Sequence, residues 1–409
     1  MNRFYFTEAI SPLHEGGALR SLLDEYAAVL SALGGDNKVP GPGQEPLPRV
    51  VMVASGGTEQ GILEAVHPLG RDRVLLVAHP GHNSLAAAME VLARVQQLGG
   101  RGEIHYLEGP RDEPGLLRLG AAISDAAVWG MLRRTRIGLV GAPSDWLVAS
   151  SPKPEVVRTR WGPEVISIPI ETIVRAPDGG LAADSDVLAK QICAGAAAQL
   201  EPTDHDVKAC GGVHGLIRKL VREHRLDAVA VRCFDLVARR GVTGCLALSQ
   251  LNDEGIIAGC EGDVVATIAM LWVHRMTGSL PWMANPARMQ IDRGLLSLAH
   301  CTVARSLVQS YRLRSHFESG LGVGIQGLMP IGPVTLVRIG GETLGELRAV
   351  EGRLARNTDH PDLCRTQVEV EVASDALREM LACPLGNHVV LVAGLHAERL
   401  QRWHASMVA

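Results

Sequence analysis

The sequence lacks several features that would assign a function at once. No two of its eight cysteines have CxxC spacing, so a cysteine-rich structural zinc site is not expected. The turn Ser55–Glu59 lacks both the GxGxxG spacing and the lysine of a P-loop, and a nucleotide site there is not predicted. A formal net charge of -4, with both signs interspersed, provides no basic stripe. Nucleic acid is therefore not an expected partner.

The sequence also lacks a long apolar segment and the pattern of an export signal. The longest apolar run, Val264–Val273, is shorter than the roughly 18 residues that span a bilayer. The start, Met1–Tyr5, lacks a basic stretch followed by an apolar one. The scattered cysteines are typical of free thiols in a reducing compartment. We expect a cytoplasmic protein that does not enter a membrane.

The distribution of strands and helices predicts the fold class. At 409 residues, two or three domains are expected. Short β-branched runs alternate with helical patterns from Val50 onward, which predicts doubly wound α/β domains over residues 1–135 and 136–295. In Thr366–Val372, apolar and polar residues alternate strictly. This alternation predicts a C-terminal antiparallel β-barrel over residues 296–409.

Three polar residues are the strongest candidates for a metal site. Glu261 follows a short apolar run, and Asn285 lies 285 - 261 = 24 residues later, about one crossover helix away. We place both at carboxyl ends of parallel strands, where open α/β sheets bind ligands. With His388, these oxygen and nitrogen donors suit Mn²⁺, Mg²⁺ or Co²⁺. Alternatively, Glu261 only favours a helix dipole and His388 is structural.

Further segments are candidates for substrate binding. His79, His82 and Asn83 lie in a turn between a strand and a helix, although Asn83 or Ser84 equally suits a plain helix N-cap. In the segment 311–318, Arg314, His316 and Glu318 would share one strand face, and the glycine-rich stretch after them contains Gln326. These groups predict either a ligand-lining edge or a solvated strand face. Asn387 precedes His388 at a predicted strand entrance.

Eight short segments along most of the chain carry a family resemblance, namely Gly141–Leu147, Cys233–Leu236, Leu251–Gly255, Cys260–Asp263, Met283–Pro286, Leu298–Thr302, His316–Gly320 and Gly386–His388. Through these segments the chain resembles the L-fucose isomerase and L-arabinose isomerase superfamily, especially its shorter fucose isomerase-like branch. The resemblance implies two α/β domains and a C-terminal antiparallel barrel. It also implies a homotrimer or homohexamer that interconverts aldoses and ketoses with Mn²⁺.

The resemblance also implies roles for individual residues. The metal ligands of the family fall on Glu261, Asn285 and His388, and Glu261 is expected to move a proton between adjacent carbons through a cis-enediolate. The founding members have an acid where this chain has Asn285. An amide oxygen coordinates a cation but cannot shuttle a proton, so Asp263, Glu318 or a metal-bound water is expected to supply the complementary acid.

The resemblance extends to the sugar. It implies that His79, His82 and Asn83 reach the hydroxyls of a small-molecule sugar across a subunit interface, and Glu318, Gln326 and Asn387 are the other expected substrate contacts. The sequence thus predicts a metal-dependent sugar isomerase. Because of Asn285, a related epimerase, a lyase and an isomerase of sulfonated or phosphorylated sugars stay open. A non-catalytic sugar-binding protein is the further alternative.

Overall fold

The computed structural model describes residues 3–12, 17–39, 47–66, 73–176 and 182–408. The chain divides into two compact units, Met1–Met131 and Leu132–Ala409, with the division near the end of one long helix.

The first unit contains a parallel sheet of five strands in the order β2-β1-β3-β4-β5. Its strands are β1 Phe4–Ala9, β2 Gly35–Asp36, β3 Arg49–Val53, β4 Arg73–Ala78 and β5 Arg101–Tyr106. Its helices are α1 Ala18–Ala32, α2 Glu59–Val66, α3 Ser84–Gln97 and α4 Glu113–Arg134. Strands β3 and β4 are almost wholly buried, which explains their continuous apolar sequence.

One helix of this unit is long and apolar enough to cross a membrane by length and composition alone. It is Glu113–Arg134, and half of its most apolar window is buried inside the protein. The core helix of a soluble protein passes the same test, so this helix is weak support for a membrane span.

The second unit begins with a four-stranded parallel sheet in the order β10-β9-β6-β7. The strands of this region are β6 Arg136–Val140, β7 Glu164–Ile168, β8 Ala198–Gln199, β9 Ala228–Val231 and β10 Ile257–Gly259. The helices are α5 Pro154–Arg160, α6 Glu171–Val174, α7 Ala182–Gly195, α8 Asp204–His224, α9 Cys233–Arg240, α10 Cys245–Asp253 and α11 Val264–Thr277. Thr203 and Asp206 form a capping box that starts α8.

A closed barrel of six antiparallel strands follows, in the order β11-β12-β17-β16-β15-β18. Strands β14, β13 and β8 form a separate three-stranded sheet in that order. The strands are β11 Trp282–Gln290, β12 Leu295–His300, β13 Ser310–Arg314, β14 Gly324–Leu328, β15 Gly332–Gly340, β16 Glu346–Asn357, β17 Thr366–Val372 and β18 Val389–Ala393. The last helices are α12 Ser374–Ala382 and α13 Ala397–Met407, and short 3-10 turns occupy Ile291–Arg293 and Arg305–Leu307.

The predicted fold class is therefore confirmed, with two parallel sheets followed by an antiparallel barrel. The predicted setting of Asn285 is wrong. This residue lies inside β11, whose partners β12 and β18 are antiparallel barrel strands, rather than at the carboxyl end of a parallel strand. The barrel thus begins at Trp282, and the predicted domain boundaries at 135 and 295 stay predictions.

The strand predicted to carry Arg314, His316 and Glu318 on one face is also shorter than expected. It ends at Arg314. A turn follows, in which the backbone amide of Gly320 donates to the carbonyl oxygen of His316. The alternation of side chains continues in the sequence beyond the last paired residue, so alternation alone did not reveal where strand pairing stops.

Candidate active site

The candidate site lies where β10 ends, and local hydrogen bonds hold that strand end in place. Asn252, at the end of α10, donates to the carbonyl oxygens of Leu248 and Ala258 and accepts from the backbone amide of Ala258. The chain then turns into α11, which Asp263 caps by accepting from the amide of Ala266 at 2.7 Å. The site loop is thus fixed by both its flanking elements.

Within this loop, Glu261 has a strained backbone. Its φ is 60°, in the left-handed region that few residues with a Cβ adopt, and Gly262 follows at φ 69°. A Cβ on Gly262 would lie 2.6 Å from the carbonyl oxygen of Ala142, so only glycine fits there. The carbonyl of Glu261 accepts from the amide of Ser144 at 2.9 Å. Long-range contacts therefore hold the strained conformation, as is typical of functional sites.

Three side chains from separate elements converge at this loop. Glu261, His300 and His388 each offer one ligand atom, and these atoms all lie within 4.8 Å of one another. Glu261 follows β10, His300 ends β12, and His388 directly precedes β18. All three are buried, and the two imidazole rings meet edge to face with centroids 5.6 Å apart.

A chain of buried charged groups orients His388. Its Nδ1 lies 2.8 Å from Oδ2 of Asp263, and Arg338 lies 3.4 Å from the same oxygen. The Asp263 side chain is completely buried. Nε2 of His388 lies 3.6 Å from Oε1 of Glu261, which is too long for a hydrogen bond. Among the described residues this buried Nε2 has no hydrogen-bond partner, which is the arrangement of a metal-ligating histidine supported by a carboxylate.

These contacts shift the pKa values of the site in opposite directions. Burial alone lowers the pKa of His388, but Asp263 and Glu261 raise it to about 9. Burial alone raises the pKa of Glu261, whereas His388 and the indole of Trp146 hold it below its ordinary value. The pKa of His300 falls to about 4 through burial and the proximity of His388. At neutral pH the group therefore offers an ionised carboxylate and a neutral His300.

Glu261 and His300 line a cavity of about 480 Å³. Asn285, His316, Glu318 and Asn387 are among its polar lining groups. The half-exposed Trp146 also lines it and donates from Nε1 to Oε2 of Glu261 at 2.5 Å. The cavity thus combines a carboxylate, imidazoles, amides and an aromatic face, which are the groups that hold a polar small molecule.

Sequence comparison adds relatives of known reaction. The chain is 25% identical over 309 residues to the sulfoquinovose isomerases of Priestia aryabhattai and Priestia megaterium, covering 72% of this chain and 68% of each relative. It is 28% identical over 130 residues to the sulfoquinovose isomerase of Alkalicoccus urumqiensis, covering 30% of this chain and 29% of the relative. No family model matches the chain.

These relatives indicate an aldose–ketose isomerase. The predicted enzyme class, an intramolecular oxidoreductase, is thereby confirmed, and the comparisons support a sugar isomerase family. Membership in the L-fucose and L-arabinose isomerase superfamily, the homotrimer or homohexamer and the cytoplasmic location stay predictions.

Several of the predicted site residues lie together in the second unit. Glu261 and His388 meet, and Asn285, Glu318 and Asn387 line the same cavity. Gln326 lies on β14, where its side-chain oxygen accepts from Arg314 at 3.3 Å. The predicted contacts at residues 79, 82 and 83 lie in the first unit.

Of these, His79 is buried, with Nε2 3.0 Å from the carbonyl oxygen of Ala54. His82 and Asn83 are exposed. All the predicted substrate contacts stay predictions.

Two residues of the candidate site, His300 and Trp146, were not predicted from the sequence. His300 is the second imidazole of the group, and Trp146 contacts Glu261 directly. Both lie in segments that carry the family resemblance, but a single histidine after a barrel strand is most often structural. Asp263, expected as a possible acid, is instead buried beneath His388 and caps α11. Its carboxylate contacts Nδ1 of His388 at 2.8 Å, which fixes the orientation of the imidazole.

Proposed function

We propose that the protein is a divalent-metal-dependent isomerase that interconverts an aldose and a ketose through a cis-enediolate, with Glu261 as the base. The observation that carries this proposal is the buried Nε2 of His388, which faces Glu261 at 3.6 Å while Asp263 holds the opposite ring nitrogen. His300 belongs to the same group of ligand atoms. Asn285 lines the cavity beside them and is the predicted further ligand.

The donor set fits a divalent ion. Once His388 has lost its proton to make room for an ion, Arg338 contributes one positive charge and the carboxylates of Asp263 and Glu261 two negative ones. The deprotonated group therefore attracts a cation. Two imidazoles and one carboxylate suit Mn²⁺ or Co²⁺ better than Mg²⁺, which prefers oxygen ligands. We therefore propose Mn²⁺, with Co²⁺ as a substitute.

A divalent ion held by Glu261, His300 and His388 would supply Lewis-acid polarisation of the carbonyl and neighbouring hydroxyl of the open-chain sugar. The protein's own groups do the rest. Glu261 is ionised at neutral pH, so it can accept a proton from one carbon and return it to the next. The Trp146 N–H holds one of its carboxylate oxygens in place. Glu318, exposed at the cavity wall, is the proposed complementary acid because Asp263 is engaged elsewhere.

The relatives suggest the first substrate to test. All three are named sulfoquinovose isomerases, so we propose sulfoquinovose or a related hexose. The amides of Asn285 and Asn387 and the ring of His316 are suited to binding sugar hydroxyls. Glucose, with a hydroxyl in place of the sulfonate, is the matched control sugar.

The test combines turnover with proton exchange. Metal-depleted protein is reloaded with Mn²⁺, Co²⁺ or Mg²⁺ and incubated with each sugar in deuterated water, and the products are followed by NMR. We expect a ketose product, deuterium at the carbon next to the carbonyl, and higher rates with Mn²⁺ or Co²⁺ than with Mg²⁺. An epimer or a cleavage fragment would replace this proposal by an epimerase or a lyase. Sugar binding without exchange would replace it by a non-catalytic protein.

A further inference from the structure

The proposed reaction leaves one feature of the cavity unused, its thiols. All eight cysteines are free, and five of them line the cavity in front of Glu261, namely Cys233, Cys245, Cys260, Cys301 and Cys364. Buried free cysteines usually act as small apolar side chains. Here they lie in the wall of the cavity that Glu261 and His300 also line, so their chemistry bears on the site.

Two of these thiols are close enough to form a disulfide once one of them is oxidised. Sγ of Cys233 lies 3.0 Å from Sγ of Cys260. The fold brings them together because β9 and β10 are neighbouring parallel strands, with Gly259 in register with Ala230, and each cysteine follows the end of its strand. A disulfide needs a sulfur separation of about 2.05 Å, so a shift of about 1 Å completes the bond.

Both cysteines also adjoin residues of the candidate site. Cys260 directly precedes Glu261 in the chain. Cys233 directly precedes Phe234, whose ring meets that of Trp146 edge to face at 4.9 Å, and Trp146 donates to the Glu261 carboxylate. A bond between the two sulfurs would therefore displace the backbone next to Glu261 and, through Phe234, the indole of Trp146 that contacts its carboxylate.

We propose that Cys233 and Cys260 form a peroxide-sensitive redox pair in the cavity wall, and that joining them in a disulfide lowers turnover. The second half rests on the proposed function. A hydroperoxide is the oxidant. One thiolate attacks the peroxide oxygen to give a sulfenic acid and releases hydroxide or water, and the other thiol then displaces water from that sulfur. In sum, two thiols and hydrogen peroxide give one disulfide and two waters.

The expected effect follows from the precision that proton transfer needs. A displacement of about 1 Å at reacting groups can reduce a rate by about 100-fold. The segments that carry Cys233 and Cys260 would each move by only part of this 1 Å. We therefore expect oxidation to lower turnover by about tenfold or more. A thiol reductant such as dithiothreitol should restore it, since the bond returns to two thiols.

The bond itself is tested in the full chain by peptide mapping. The protein is treated with hydrogen peroxide, free thiols are alkylated, and the chain is cut with trypsin. We expect the peptide Cys233–Arg239 joined to Gly241–Arg275, with the loss of two hydrogens. The second peptide contains Cys245 as well as Cys260, so fragmentation must place the link at residue 260.

Variants separate this pair from the other thiols. Cys233→Ser and Cys260→Ser should each abolish the link and make turnover, relative to the variant's own untreated rate, insensitive to mild peroxide. Cys383→Ser, which removes an exposed cysteine, should leave both the link and the sensitivity intact. If a serine variant does not fold, the peptide map of the unaltered protein still decides whether the bond forms.

The possible outcomes distinguish the two proposals. A link through Cys245, Cys301 or Cys364 instead, or sulfinic acid without any link, would overturn the redox pair. A Cys233–Cys260 link with unchanged turnover would overturn its effect on the reaction. If the protein isomerises no sugar, the proposed function fails, whereas the peptide map still supports or overturns the pair.

Discussion

Two loops with the same local design differ in chemistry. One follows β4 in the first unit and leads into α3, and the other follows β10 in the second unit and leads into α11. Both contain residues in the left-handed region, His82 and Asn83 in the first loop and Glu261 and Gly262 in the second. Both were candidates from the sequence, because a strand that turns into a helix presents polar groups at a sheet edge.

The two loops differ in what their buried polar groups contact. In the first, His79 contacts the carbonyl oxygen of Ala54, and the Ser84 hydroxyl bonds to the backbone of Val53 and His79. These partners lie at the ends of the neighbouring strands β3 and β4 or directly after them. In the second, Glu261 meets His300 and His388 from the barrel. A loop becomes a metal-binding candidate when distant elements add side chains that can act as ligands, whereas backbone partners only stabilise the turn.

The largest expected effect of this difference is on the proton transfer itself. Glu261→Gln keeps the size of the side chain but removes the base, so we expect kcat to fall by about 10³-fold. Steady-state rates with the sugar that the unaltered protein turns over fastest measure this loss. Far-UV circular dichroism and thermal unfolding check that the fold is intact. Turnover within a few-fold of the unaltered protein would show that another group is the base.

The next effect concerns the ion. His300→Ala and His388→Ala each remove one proposed ligand, so we expect the Mn²⁺ affinity to fall by more than about 100-fold, measured by isothermal titration calorimetry. His205→Ala, at an exposed position on α8, is the matched control and should bind Mn²⁺ normally. If His300→Ala also binds Mn²⁺ normally, His300 is not a ligand. The second loop would then differ from the first by one imidazole, that of His388, instead of two.

The pH dependence of metal binding gives a smaller and sharper test. Because the pKa of His388 is raised to about 9, its imidazole is protonated at pH 7 and must lose that proton when an ion binds. We expect about one proton released per Mn²⁺ at pH 7. The apparent affinity should rise about tenfold per pH unit and level off above about 9.

Asp263→Asn provides the control for this test. Without the Asp263 carboxylate the pKa of His388 should fall, and the release of a proton at pH 7 should diminish. Calorimetry in buffers of different ionisation enthalpy counts the protons. Equal release by both proteins would show that Asp263 does not set the protonation of His388.

The smallest expected effect lies in the first loop. The predicted sugar contact of Asn83 is a single hydrogen bond from an exposed side chain, so Asn83→Ala should raise KM by up to about tenfold with kcat unchanged. Steady-state kinetics measures both constants. No change in KM would leave the first loop with a purely structural role and widen the difference between the two loops.

Much of the architecture was determined by the sequence alone. The β-branched runs and the strict alternation of Thr366–Val372 predicted the parallel sheets and the barrel, because the side-chain period of a buried strand is a local property. Glu261, His388 and Asn285 were also predicted as metal ligands, through their spacing and the family resemblance. The structure brings Glu261 and His388 together, and the roles of all three stay predictions. The strand containing Asn285 was misassigned, because an apolar run does not reveal whether its partner strands are parallel or antiparallel.

Only the tertiary structure decided which groups meet. The contact of His388 with Asp263 joins residues 125 positions apart, and the contact of Trp146 with Glu261 joins residues 115 apart. Nothing in the local pattern of either partner specifies the other. The pKa of His388, the second imidazole of His300 and the approach of Cys233 to Cys260 all depend on barrel closure and strand order. Burial and electrostatics act through space, so these properties could not be predicted from spacing along the chain.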